Sequence, residues 1–302
     1  MKVLDVIRQV RERARDPVLQ SITTDTALLL DLLRRRYQVA LDRSGWSFLR
    51  RDTTFVTTPP YSTGTVSTTQ GSSTVVGSDT GWTSSVVGGY MLVPDSQPLR
   101  IVNVSSPTSL DLEAPWPSSS ASDAAYTIVF PTISLPADCK AVIHLHNGRF
   151  RLREINLGVV RQRDPRLSRI STPAYYSKVS PSFLWLWPSP NTSIVHRMLY
   201  MRSGTLPTSL GDEIEWSLGE PYFLVDGVLS EVYMLAFQRT GSDHFSVLAQ
   251  AANQIFVSQL DEAEFRDSAQ RYIPDDVRGL PVVPDDPMLS WWEWMPPERV
   301  NV

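Results

Sequence analysis

The sequence predicts an α+β protein: a helical bundle, interrupted by a small all-β domain of sandwich or barrel-like form, and followed by an extended C-terminal arm. Three observations carry this. Apolar residues recur at helical spacing in residues 1–52 and again beyond residue 220. Between residues 53 and 131 the texture turns to Thr, Ser, Val and Gly, with Arg100 the one basic residue. From residue 274 onward, six prolines in 29 residues forbid regular helix. The expected division is therefore 1–52 as the N-terminal helices, 53–131 as the inserted β domain, 132–273 as the remainder of the helical domain with a short β hairpin, and 274–302 as the arm.

Val3, Val6, Ile7 and Val10 predict a first helix, ended by Asp16-Pro17. Thr24 or Asp25 caps a second, whose wide stripe from Ala27 to Leu41 suits packing on several sides, and Gly45 allows its stop. In the insertion, GTVSTT, TVVG, YMLV, RIVNV, SLDLE and AYTIVF read as strands, with glycines 64, 71, 77, 81, 88 and 89 at turn spacing. CKAVIHLH reads as a further strand, and Leu152, Ile155, Leu157 and Val159 as a helix ended by Asp164-Pro165. Phe183 to Trp187 reads as a short apolar strand paired with IVHRMLYM as its hairpin partner. Two helices are expected at about residues 221–239 and 242–271.

Composition narrows the function. With 42% hydrophobic and 20% charged residues, the chain can bury a core and is not globally disordered. A net charge of −4 excludes a generally basic nucleic-acid binder but leaves room for local basic patches. Cys139 is the single cysteine, so no internal disulfide forms, and no cysteine-based metal site is expected. No apolar run reaches the roughly 20 residues of a membrane helix, and the first residues lack the apolar stretch of a signal peptide. Synthesis in a cytoplasm is expected. The chain has 25 Arg against 3 Lys, which reads first as coding bias and second as a preference for bidentate contacts.

No catalytic constellation emerges, and neither cofactor nor metal is expected. His144 and His146 form an H-x-H that faces one side of a strand, half of a metal site without its completing ligands. Asp212, Glu213 and Glu215 suit a loop or cap better than paired catalytic carboxylates. Nucleophile elbows and phosphate-binding glycine loops are missing from the sequence. Residues 149–169 hold seven arginines against Glu154 and Asp164. Arg161, Arg163 and Arg166 are the candidates for a DNA-channel or interface role, weighed against an ordinary solvated face. Trp291, Trp292 and Trp294, in an acidic proline-bounded segment, are candidate partner-binding anchors.

The order of segments resembles the tailed-bacteriophage head-to-tail adaptor (connector, neck) proteins. The resemblance rests on SGWSFLRRDTTFVT at the end of the N-terminal helices, the Ser/Thr-rich insertion, the return through SLPADCKAV, and the later DPRLSRISTPAYY and FLWLWPSPN before paired helices. It covers about residues 1–272. It implies a virion structural protein of the neck, forming a homo-oligomeric, dodecameric ring beneath the portal protein. Such a ring extends the DNA channel, touches genomic DNA transiently, and gives tail or nozzle proteins their platform. It implies no catalytic residue, no cofactor and no membrane. A reading from another class is a carbohydrate- or receptor-binding virion protein, with Trp82, Tyr90 and Trp116 of the insertion as a sugar platform.

Overall fold

The computed structural model describes residues 1–269. In chain order it begins with helices α1 (Val3–Arg13), α2 (Pro17–Thr23) and α3 (Thr26–Arg43). Strands β1 (Arg50–Val56), β2 (Thr65–Thr68), β3 (Thr74–Ser78) and β4 (Tyr90–Leu92) follow, then β5 (Leu99–Ser106), β6 (Ser109–Leu112), β7 (Ala121–Ala124) and β8 (Thr127–Val129). Next come β9 (Thr132–Ser134), β10 (Cys139–His146), β11 (Arg153–Glu154), helix α4 (Leu157–Arg163) and β12 (Ile170–Ser171). The chain continues with β13 (Tyr175–Ser180), β14 (Phe183–Trp187), β15 (Ser189–Pro190) and β16 (Val195–Arg202), and ends in α5 (Phe223–Thr240) and α6 (Asp243–Ala269). The class is α+β, as the sequence indicates. Two compact units arise: Met1–Arg51 with the described residues from Met201 on, and Asp52–Tyr200.

In the first unit, α5 touches α1, α2, α3 and α6. All its residues from 223 to 230 are buried, Asp226 and Ser230 included, so it is packed on every side rather than along one stripe. Gly227 permits the close approach of α6, because a Cβ there would lie 2.7 Å from the Phe256 ring. Asp25 caps α3 by accepting from the backbone N–H groups of Ala27 and Leu28. Asp16-Pro17 does more than end a helix. Asp16 accepts from Val18 N–H, and Pro17 opens the short α2 at the position where a missing N–H costs nothing. The stop of α3 falls at Ser44, in an extended conformation, without a left-handed glycine.

In the second unit, seven strands form one antiparallel sheet in the order β7-β2-β3-β6-β5-β4-β8. Its two edge strands are consecutive in the chain, joined through Ala125 and Tyr126. So short a link spans only about 10 Å, so the sheet must curl until its edges approach, a half-barrel. Inside lie Val66, Val75, Trp82, Met91, Ile101, Leu110, Trp116 and Ile128. Gly64 (φ +81°) leads into β2 where it meets the end of β3, and a Cβ there would sit 2.3 Å from the Ser78 carbonyl oxygen.

Residues 132–200, assigned from sequence to the remainder of the helical domain with a short hairpin, are mostly strands. Only residues 157–163 of the expected helix from Leu152 are helical, because Asn156 caps there by accepting from Gly158 N–H (2.7 Å), while β11 pairs in parallel with β13. The expected hairpin is also corrected. β14 pairs with β13 and β9, whereas β16 lies between β1 and β10. The two residues Pro181 and Ser182 make β13 the nearer partner of β14. The unbroken apolar run of β14 has a reason: Leu184 and Leu186 enter one core cluster, Trp185 and Trp187 another.

Candidate interface: the arginine-bearing loop after α4

α4 ends at Asp164, whose carboxylate is 2% exposed. It accepts hydrogen bonds from the backbone N–H groups of Ser168 (2.7 Å) and Arg169 (3.1 Å), from the Ser168 hydroxyl (3.1 Å) and from the Trp187 indole N–H (3.3 Å). The tight loop so held turns through Leu167 at φ +52°, and Leu167 is buried with Val160, Tyr175, Trp185 and Trp187. Asp164 thus fixes the positions from which the arginines project. Arg161 is exposed on the last turn of α4 and Arg163 is half-buried beside it, where cations favour the helix C-terminus. Exposed Arg166 approaches the Asp95 carboxylate at 3.8 Å, and Asp95 is 96% exposed, so solvent leaves that pair weak. Arg169 stacks its guanidinium over Trp187, 5.5 Å from the ring centre.

Beside the loop opens a cleft of about 290 Å³, lined chiefly by Tyr90, Pro98, Val160, Arg161, Leu167 and Trp185. Tyr90 and Trp185 meet edge to face at 5.3 Å. Burial first, and the Glu113 carboxylate second, push the Tyr90 hydroxyl pKa up, against the opposing pull of Arg100 and Arg161. The Trp185 indole N–H is buried without an acceptor among the described residues. A second cleft of about 300 Å³ includes the Arg166–Asp95 pair, with Val93, Pro94 and Tyr126.

The structure separates the other candidates. His146 is buried and His144 half-buried, and no group of three or more His, Cys, Asp or Glu residues able to hold a metal ion occurs among the described residues. His196 is fully buried, stacked on Phe55 at 5.1 Å, and burial lowers its pKa. Asp212 accepts from the backbone N–H groups and hydroxyls of Thr208 and Ser209, which hold its carboxyl well below the usual carboxylate range. It clasps a loop, and Glu215 is engaged by Arg202 and Arg51, so neither is one of a free catalytic pair. Cys139 is buried. The proposed sugar platform is not formed. Trp82 and Trp116 are 1% and 2% exposed in the half-barrel core, their N–H groups bonded to Tyr126 and to the Ser119 carbonyl. Trp291, Trp292 and Trp294, with the whole arm 274–302, lie outside the described residues.

Sequence reasoning missed Asp164 and Trp185, and took Tyr90 for part of a sugar platform where it instead walls this cleft. Asp164 does carry a local signal, an Asp-Pro pair with Ser168 four positions on, the pattern of a side chain that bonds nearby backbone.

No helix of the described residues is long and apolar enough to cross a membrane. No curated protein matches the chain. A family model described as SU10 adaptor protein matches residues 109–279. The match covers more than half of the chain and runs from β6 through the arginine-bearing loop and both long C-terminal helices. The chain belongs to the SU10 adaptor protein family and is a bacteriophage adaptor, a structural protein of the virion.

Proposed function

We propose that this adaptor is a head-to-tail connector: a homo-oligomeric, dodecameric ring beneath the portal protein that extends the DNA channel and gives tail or nozzle proteins their platform. The single observation that carries this reading is the adaptor family match across residues 109–279. Arg161, Arg163 and Arg166 are assigned to the DNA passage or to a subunit interface, with Arg161 the best placed, being exposed and without a carboxylate partner among the ion pairs of the described residues. Contacts of this kind hold phosphates without sequence preference and weaken with salt. Trp291, Trp292 and Trp294 are assigned to partner binding.

The deciding experiment mixes the purified protein with the portal of the same phage. Light scattering and cryo-electron microscopy then follow the mass and symmetry of the product. A ring seated on the portal is expected. Absence of any association at micromolar concentrations of both proteins overturns the reading.

A further inference from the structure

The cleft beside α4 is built for an occupant. Its walls are chiefly aromatic and aliphatic, from Tyr90, Trp185, Val160, Leu167 and Pro98, with Gln97 and the already engaged Asp164 carboxylate among them, and its volume of about 290 Å³ suits one large side chain with part of its backbone. Two of its lining residues carry polar groups left unused. The Trp185 indole N–H, in a side chain 6% exposed, has no acceptor among the described residues. Arg161 is exposed and makes no ion pair among them. Buried donors left unmatched are rare and ask for a ligand. The chemistry wanted is therefore an aromatic or long apolar side chain beside a carboxylate or carbonyl acceptor.

The same chain holds a segment of this chemistry beyond the described residues. Residues 290–295 read Ser-Trp-Trp-Glu-Trp-Met, and residues 274–302 carry six acids against Arg278 and Arg299. From residue 269 to Trp291 the chain can span on the order of 70 Å, the length of chain available to carry the segment to a cleft.

We propose that the tryptophan-bearing segment 290–295 of this chain docks in the cleft formed by Tyr90, Trp185 and Arg161. One indole fills the apolar volume. The Glu293 carboxylate meets the Arg161 guanidinium, and a backbone carbonyl accepts from the Trp185 indole N–H. Charge complementarity favours this segment over a basic partner. The proposal deepens the assignment of the three tryptophans as anchors and does not depend on the portal.

The test puts a benzophenone amino acid in place of Trp292 in the full-length chain, irradiates it, and maps the cross-links by mass spectrometry. Cross-links to residues 90–98 and 160–167 are expected. Arg161→Glu should reduce their yield by about tenfold, the scale of turning a matched charge into a repulsive one, while Arg161→Lys retains most of it. Circular dichroism on each variant confirms the fold, which an exposed position should not disturb. Mixing isotope-labelled and unlabelled chains tells the chain's own cleft from a neighbour's, and either result supports docking of this segment. Cross-links that map elsewhere, that appear on an added portal protein alone, or that ignore Arg161→Glu overturn it. Portal co-sedimentation of the same samples reads the adaptor role separately, so a chain that assembles but cross-links elsewhere refutes the cleft assignment and leaves the adaptor reading intact.

Discussion

Asp164→Ala tests whether one buried carboxylate organises the arginine-bearing loop. The side chain accepts from two backbone N–H groups, a hydroxyl and an indole, and is 2% exposed. Hydrogen bonds to a charged group contribute about 1.5–3 kcal/mol each when buried. Ser168 and Arg169 are exposed, so water can take over their donors at lower cost. Trp187 is 2% exposed, and its N–H would remain unmatched at about 1–3 kcal/mol. Leu167 at φ +52° also loses the bonds that hold its left-handed conformation. The combined cost is about 3 kcal/mol. Asp164→Asn keeps one oxygen but turns an amide toward a donor, and should cost about half as much. Urea unfolding followed by tryptophan fluorescence reads both values, since the Asp52–Tyr200 unit contains Trp82, Trp116, Trp185 and Trp187. A loss below about 1 kcal/mol for Asp164→Ala would show that the loop is held by the apolar packing of Leu167 and Val160 instead.

Four further outcomes are expected. His196 has a lowered pKa because burial outweighs the pull of its hydrogen bond to the Ile194 carbonyl, with a smaller lowering from His146 when protonated. Above about pH 6.5 both folded and unfolded states are neutral there. Below it the unfolded chain takes up a proton that the folded state disfavours, so stability falls by up to about 1.4 kcal/mol per pH unit until the folded pKa is reached. Denaturation curves between pH 8 and 5 should show this slope, and His196→Phe should flatten it. Replacing Asp52–Tyr200 by a short Gly/Ser linker should leave cooperative helical melting of the first unit, whose core is drawn from Met1–Arg51 and the residues after Met201; a non-cooperative melt by circular dichroism would refute its independence. Arg163 and Arg166 both changed to Gln should leave assembly intact and alter DNA retention or ejection, whereas failure to assemble would move them to an interface. Trp291→Ala with Trp294→Ala should leave the melting temperature nearly unchanged and weaken assembly by about tenfold or more; a large drop in melting temperature with assembly unaffected would place these rings in the protein's own core.

The long helices were legible because their burial is periodic or continuous over many turns. The Val3, Val6, Ile7, Val10 face and the Asp25 cap appear in the structure as read. The strands of the half-barrel were legible because one face is buried and one is not, as in β3 with its alternating exposure. Pairing was less so. β13, Tyr-Tyr-Ser-Lys-Val-Ser, shows no clean apolar alternation, so β14 seemed to pair with the next apolar run, which belongs to another sheet. The parallel pairs β11–β13 and β12–β15 are two residues long and leave no pattern at all. Asp164 reads in sequence as one more charge in an arginine-rich run, and only its burial shows that it is the acceptor on which the run is built.

The tryptophans show where composition stops and geometry begins. Trp82 follows Gly81 and lies between strands, and it fills the half-barrel together with Trp116 and Tyr126 among smaller Val, Ile, Leu and Met side chains. Three tryptophans within residues 291–294 are a different problem. Three indoles within four residues ask for more apolar volume than a single cleft supplies. The cleft of about 290 Å³ has room for about one indole. The neighbouring cleft of about 300 Å³, edged by Tyr126 and the weak Arg166–Asp95 pair, offers a second apolar wall in the same unit. Docking of the segment should then depend on Arg161 and on Pro94 or Tyr126 together, and a dependence on Arg161 alone would mean that only one ring is buried there and that the others serve a different surface.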